Sequence, residues 1–230
     1  IDHPRIVKLM GLSVADGNLL LVMELVPRGS LRALLSNASV GLKWRKRLAM
    51  LRDAAVGIAF LHSKGIVHRD IKSSNLLVDD NMSVKVGDFG FATAKQDNGT
   101  MTRCGTPSWT APEVLDPTLA KTDDGDGGDG DGDGDGEKVE TKGRHTEKAD
   151  VYSFGEVMWE VLTRRMPYEE GNMMSVAMDV LQGKRPAVPA DCPPKFAEVM
   201  RRCWHQKPHK RPTMDDLLMY LNGEGQDDAL

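Results

Sequence analysis

The chain of 230 residues carries a formal net charge of −4 at pH 7, and its 40% hydrophobic and 28% charged residues are ordinary for a soluble globular protein. Three scattered cysteines exclude a disulfide scaffold and indicate a reducing compartment. The longest strongly apolar stretch, at 19–26, is far too short to cross a bilayer. We therefore expect a cytoplasmic domain that makes no membrane contact through this segment.

The acidic charge is concentrated in one tract. Residues 122–137 contain seven Asp and one Glu without Lys or Arg, so the rest of the chain carries +4. That mild basic balance is compatible with an anionic ligand, and we expect no nucleic acid partner. A Gly-Asp composition cannot bury apolar area, which predicts a disordered insertion at about 122–143. Spacing typical of an EF-hand loop occurs within it, but an alternating Asp-Gly repeat meets that pattern by chance.

The front of the chain is β-rich. Residues 6–14 and 19–26 predict an antiparallel hairpin around a turn at 15–18, and Ser30 can cap a short helix that runs through residue 35. Apolar spacing predicts a helix from Trp44 that Gly65 ends, followed by short strands at 66–67, 76–78 and 84–86.

The second half is helical. Thr146 can cap a helix through residue 162 that is apolar nearly all round, which predicts burial at the centre of the domain. Further helices are predicted at 172–182, 195–205 and 213–221. Cys203, His205 and His209 could bind zinc, but no CxxC pair accompanies them, so ordinary helix and loop positions are favoured.

Three motifs carry the chemistry: HRDIKSSN at 68–75, DFG at 88–90 and APE at 111–113. Phosphoryl transfer requires metal ions, charge neutralisation and an aligned hydroxyl rather than covalent help. One loop supplies a carboxylate for the hydroxyl (Asp70), an ammonium (Lys72) and an amide oxygen (Asn75). Asp88 adds a second carboxylate, and Mg²⁺ prefers such oxygen ligands.

The motifs, in this order, resemble the protein kinase family over nearly the whole chain. The resemblance implies an α+β, two-lobed fold with a small β-rich N-lobe remnant (1–26), a large mainly helical C-lobe (27–222) and a tail (223–230). It also implies Mg-ATP as cofactor and protein substrates that bear Ser or Thr. Its structural positions are a packed His68, Phe89, Asp150 accepting backbone hydrogen bonds from the catalytic loop, and a buried ion pair between Glu113 and Arg211.

The same resemblance distributes the remaining roles. Met23 would be the gatekeeper residue, Mg²⁺ would be held by Asn75 and Asp88, and the nucleotide-binding positions would be Glu24, Val26, Asn75, Leu77 and Asp88. Lys72 and the segment GTPSWT at 105–110 resemble serine/threonine kinases, with Thr106 bridging Asp70 and Lys72, and Ser108 and Thr110 in a substrate-docking turn. The WT pair at 109–110 and DVYSFG at 150–155 resemble the tyrosine-kinase-like branch of these enzymes.

Arg69 precedes the catalytic aspartate, which in the family marks kinases activated by phosphorylation. Thr102, and beside it Thr100, are then the predicted phosphorylation sites, the alternative being solvated loop residues. No GxGxxG loop, strand lysine or helix glutamate occurs in the chain. We therefore expect the isolated fragment to be inactive. Two alternative functions remain. A pseudokinase or scaffold module is disfavoured by the set of Asp70, Lys72, Asn75 and Asp88. A small-molecule phosphotransferase is disfavoured by the APE segment.

Overall fold

The computed structural model describes residues 1–15, 17–88, 93–94, 107–120 and 146–223, with backbone alone at 93, 94 and 120. Phe89, Thr100, Thr102, Thr106, the Gly-Asp insertion and the tail after residue 223 lie outside the described residues. The helices are α1 Leu31–Ser36, α2 Trp44–Ser63, α3 Pro112–Leu115, α4 Glu147–Thr163, α5 Met173–Leu181, α6 Pro194–Cys203 and α7 Met214–Gly223. The strands are β1 Leu9–Ala15, β2 Asn18–Met23, β3 Ile66–Val67, β4 Leu76–Val78, β5 Val84–Val86 and β6 Thr93–Ala94.

A strand-rich front and a helical remainder confirm the predicted α+β class. Strands β1 and β2 pair antiparallel from Leu9 with Met23 to Ala15 with Asn18, and Gly17 supplies the positive φ of +75° that the turn requires. The other described strands form two short antiparallel pairs, β3 with β6 and β4 with β5, and Ile6 makes an isolated bridge to β5.

The predicted first strand is wrong at its front end. Residues 6 and 7 do not extend the hairpin; they are buried and bridge to Val86 of β5. The Val7 N–H donates to the Val86 carbonyl at 2.8 Å, and the Val86 N–H donates to the Arg5 carbonyl at 2.8 Å. Gly57 of α2 permits this approach, since a Cβ there would lie 2.6 Å from the Arg5 carbonyl oxygen. The hairpin is thereby tied to the large lobe through its entry segment.

Helix α4 forms the centre of the large lobe, as predicted. Tyr152, Phe154 and Met158 are fully buried on it, and its partners are α2, α6 and the turn at 107–109. Gly155 lets α6 pack closely, because a Cβ there would lie 2.9 Å from Cβ of Cys203. Thr146 precedes the helix but forms no capping hydrogen bond with its side chain, so that part of the prediction is wrong.

Two other caps work through their side chains. Ser30 accepts from the Ala33 N–H at 3.2 Å, as predicted, and Asn172 accepts from the Ser175 N–H at 2.9 Å. Within the described ranges no helix combines the length and apolarity needed to span a membrane.

Candidate active site

The loop between β3 and β4 is anchored from below by Asp150 of α4. One carboxylate oxygen of Asp150 accepts from the His68 N–H at 2.8 Å, and the other accepts from the Arg69 N–H at 2.9 Å. Burial opposes the ionisation of Asp150, but hydrogen bonds and the nearby imidazoles outweigh it and lower its pKa. Arg69 sits at φ +71°, a strained conformation that these two bonds hold in place.

His62 completes this anchor and was missed by the sequence reasoning. Its Nε2 lies 2.9 Å from Oδ2 of Asp150, the oxygen that also binds the His68 N–H. His62 is near the end of α2, in no recognised motif, and it meets Asp150 only because α2 crosses α4. No signal in the sequence alone singles it out.

His68 links the two motif segments of the site. Its fully buried ring contacts the Gly87 carbonyl through Nε2 at 2.8 Å and accepts from the Asp70 N–H through Nδ1 at 3.3 Å. These two contacts fit the tautomer with the proton on Nε2. A packed histidine in the base of the loop is the arrangement that the resemblance implies.

Asp70, Lys72 and Asn75 form one cluster. Asn75 donates through Nδ2 to both the carbonyl oxygen and Oδ2 of Asp70, each at 2.8 Å. The Lys72 ammonium lies 2.8 Å from the same Oδ2. Since the Asn75 amide nitrogen is committed to Asp70, its oxygen is the atom left for a metal ion.

Asp88 is held beside this cluster through its neighbour. The Gly87 N–H donates to the Asn75 carbonyl at 2.9 Å, while the Gly87 carbonyl contacts His68. Asp88 follows with φ +56° and an exposed side chain. The Asn75 amide oxygen and the Asp88 carboxylate are hard oxygen donors, and this donor set fits Mg²⁺.

The residue after β2, Glu24, which the sequence predicts to lie at the hinge between the lobes, belongs to a charged pair. Both carboxylate oxygens of Glu24 lie 2.7 Å from the Lys85 ammonium, and this hydrogen bond lowers the pKa of Glu24 against the opposing effect of burial. The Glu24 N–H donates to the Lys8 carbonyl at 2.9 Å. The Glu24 N–H is therefore already paired within the protein.

The chain then leaves the hinge along β4. Residues 28–30 pair with 77–78: the Arg28 N–H donates to the Val78 carbonyl at 3.0 Å, and Ser30 bridges to Leu77. Val26 is buried immediately before this segment. The predicted nucleotide-binding residues at the hinge and on β4 thus belong to one connected strip.

The large lobe contains the predicted pair of Arg211 and Glu113, two bonds of 2.7 Å. Arg211 also donates to the carbonyls of His205, Lys148 and Gln206. Two further contacts went unpredicted: Glu160 of α4 binds Ser73 and Trp109. The predicted residues that hydrogen bonds link around the catalytic loop are His68, Asp70, Lys72, Asn75 and Asp150, with Asp88 next to Gly87.

The zinc alternative is not supported by the geometry. Cys203 is fully buried with its sulfur 3.9 Å from that of Met158, whereas His205 contacts the backbone of Lys207 through Nδ1. Among the described residues no group of three or more His, Cys, Asp or Glu side chains could hold a metal ion.

A family model described as the protein kinase domain matches residues 1–220. The chain belongs to the protein kinase family. A protein of Acanthamoeba polyphaga mimivirus named serine/threonine-protein kinase/receptor R818 is 45% identical over 96% of this chain. The Dictyostelium discoideum serine/threonine-protein kinase drkD is 41% identical over 97%, and the dual specificity protein kinase shkC of the same organism is 36% identical over 96%. These kinases support the serine/threonine type.

The chain covers less than half of the length of each of these relatives. The chain spans 12% of the length of the mimivirus protein, 16% of drkD and 40% of shkC.

Proposed function

We propose that this domain transfers the γ-phosphoryl group of Mg-ATP to Ser or Thr hydroxyls of protein substrates. The observation that carries the proposal is the shared oxygen of Asp70: Oδ2 lies 2.8 Å from the Lys72 ammonium and accepts from Asn75 at 2.8 Å. A carboxylate held by two donors keeps one orientation, which a residue that aligns an incoming hydroxyl requires.

Each residue then has a task that its surroundings support. Asp70 orients the substrate hydroxyl and takes up its proton. Lys72 supplies positive charge beside that carboxylate, where negative charge develops on the transferred group. Asn75 and Asp88 would hold Mg²⁺, which when bound neutralises phosphate charge. Glu24, Val26 and Leu77 would receive the nucleotide base along the hinge and β4, and Thr106 would join Asp70 and Lys72.

A pseudokinase or scaffold role is the second candidate. The hydrogen-bonded set of Asp70, Lys72 and Asn75 argues against it, because a binding module has no need of an aligned base. One of the relatives is named a dual specificity kinase. The restriction of the acceptor to Ser or Thr hydroxyls is therefore part of what we propose. Two free cysteines among the described residues, Cys192 and Cys203, agree with action in a reducing, cytoplasmic environment.

The test uses what we call the extended kinase: this chain joined at its front to a glycine-rich loop, a strand lysine and a helix glutamate, the elements that the family pattern places before residue 1. Asp70→Ala and Asp88→Ala should each lower peptide phosphorylation by roughly a hundredfold or more, since an aligned base or a metal ligand is worth several kcal/mol. Lys207→Ala, at an exposed position far along the chain, is the control. Undiminished turnover in either aspartate variant would refute the proposal, and predominant phosphotyrosine would refute the serine/threonine assignment.

A further inference from the structure

Glu160 lies where three parts of the large lobe meet. It is fully buried near the end of α4. Its Oε1 accepts from the Ser73 hydroxyl at 2.5 Å, and its Oε2 accepts from the Trp109 indole N–H at 2.8 Å. The guanidinium of Arg32, on α1, lies 3.6 Å from Oε1. One carboxyl group therefore joins two segments that are 36 positions apart in the sequence.

The first of these segments is the catalytic loop. Ser73 is fully buried in the single turn 73–75, immediately after Lys72 and two residues before Asn75. That turn closes through a bond from the Asn75 N–H to the Lys72 carbonyl at 3.0 Å. A displacement of Ser73 would therefore move both residues that contact the Asp70 carboxylate.

The second segment is the turn at 107–109, which lies before α3 and which the family pattern assigns to substrate docking. Trp109 is held twice by α4. Its carbonyl accepts from the Ser153 hydroxyl at 2.6 Å, and its indole N–H reaches Glu160. Both the backbone and the ring of Trp109 are thus fixed relative to one helix.

We propose that Glu160 is a positioning residue that sets the catalytic loop and the substrate-docking turn in register, so that a bound peptide hydroxyl meets Asp70. The inference rests on the proposed function. Each oxygen of this buried carboxyl group has one hydrogen-bond donor, so loss of either donor leaves one oxygen without its partner. The bridge works only while both arms are intact.

Breaking either arm in the extended kinase should therefore have the same consequence. Trp109→Phe removes the indole N–H and keeps an aromatic ring; Ser73→Ala removes the hydroxyl. Each should lower kcat/KM for peptide by about five- to twentyfold, the lower part of the range for leaving one buried hydrogen-bonding group without its partner, while the KM for ATP stays within about twofold. Either substitution alone breaks the link through Glu160. The kcat/KM of the double variant should therefore be no more than about twofold below that of the less active single variant.

The chain offers a matched control. Trp159 precedes Glu160 on α4 and has the same 7% exposure as Trp109. It donates its indole N–H to the Ala187 carbonyl at 2.9 Å. Trp159→Phe removes an indole hydrogen bond that goes to a backbone carbonyl and not to Glu160, so peptide kinetics should change less than about twofold. Glu160→Gln keeps one acceptor and gains a donor for the Ser73 oxygen, and it should retain at least about threefold more activity than Glu160→Leu.

The outcomes separate the alternatives. Three results would each refute the proposed role of Glu160. The single variants could stay within twofold of wild type, or their effects could multiply in the double variant. Trp159→Phe could also lower activity as much as Trp109→Phe does. If the unmutated extended kinase phosphorylates no peptide, the proposed function fails. The coupling of Ser73 to Trp109 through Glu160 is then tested by NMR, which requires no activity. In the 230-residue chain, Ser73→Ala should shift the Trp109 indole N–H resonance and speed its hydrogen exchange. An unchanged resonance with unchanged exchange would refute the coupling.

Discussion

Arg211 and Glu113 form a two-pronged ion pair across 98 positions of sequence, with both N–O distances at 2.7 Å. Their side chains are 0% and 3% exposed. Removing one partner of a buried pair leaves the other charge uncompensated, so Arg211→Met should lower the free energy of unfolding by about 3–5 kcal/mol. Urea denaturation with an unchanged m value measures this.

A second pair of equal length gives the control. The Lys184 ammonium lies 2.7 Å from Asp179, but these side chains are 62% and 37% exposed. An exposed pair contributes about 0–1 kcal/mol, so Lys184→Met should change stability by no more than that. Similar losses in the two variants would show that burial does not determine the strength of the Arg211–Glu113 pair.

The pair was predictable because each partner stands in a segment that resembles a family motif, Glu113 in APE at 111–113 and Arg211 in Lys-Arg-Pro at 210–212. Glu160 was not, since a glutamate inside an apolar helix matches no motif, and its two donors come from distant loops. Local pattern likewise predicted strand character at Ile6, whose actual partner is Val86, 80 positions away. Periodicity predicts which residues are buried; it does not identify long-range partners.

Glu156 predicts a pH dependence of stability. It is fully buried on α4, and within the described part of the chain neither carboxyl oxygen has a hydrogen-bond partner. Burial raises its pKa well above the ordinary 4.5, with Arg185 opposing the rise and Glu160 adding to it. Below pH 4.5 the Glu156 carboxyl group is protonated in both the folded and the unfolded protein. As the pH rises above 4.5 the unfolded chain alone releases the proton, so folding becomes less favourable.

Glu156→Gln should therefore gain stability relative to wild type as the pH rises. The difference between the two proteins should be constant below about pH 4.5 and then grow by up to about 1.4 kcal/mol per pH unit until the native pKa is reached. Urea midpoints from pH 4 to 8 measure it. A stability difference that stays flat over this range would contradict the burial of an uncompensated carboxyl group.

Nucleotide binding by the 230 residues alone should be weak. Apolar side chains in the hairpin and directly after it are exposed, Met23 by 46% and Leu25 by 88%. With a nucleotide site that contains the hinge but no glycine-rich loop, millimolar Mg-ATP should raise the melting temperature by no more than about 1 °C, because stabilisation follows the ratio of ligand concentration to Kd. The extended kinase should gain several degrees. A comparable gain in the 230-residue chain would show that the hinge and large lobe suffice.

The last prediction concerns regulation by Arg69. Its backbone is fixed by Asp150, and its buried Nε has no hydrogen-bond partner among the described residues, so the guanidinium keeps a donor for another group. Thr102 lies outside the described residues, in the polar sequence NGTMTR at 98–103. A phosphate on Thr102 would add close to two negative charges and accept charge-assisted hydrogen bonds from Arg69.

Thr102→Ala in the extended kinase should therefore lower peptide phosphorylation, and Thr102→Ala with Thr100→Ala should lower it at least as far. Arg69→Lys distinguishes bidentate binding of the phosphate from simple charge attraction. Lysine keeps the positive charge but lacks the planar guanidinium group, so this variant should retain only part of the wild-type activity. In the Thr102→Ala background the same Arg69→Lys change should cost little more, because the phosphate is already gone. Mass spectrometry locates the phosphate. Full activity of the double threonine variant, with no phosphate on residues 95–106, would eliminate this mode of regulation.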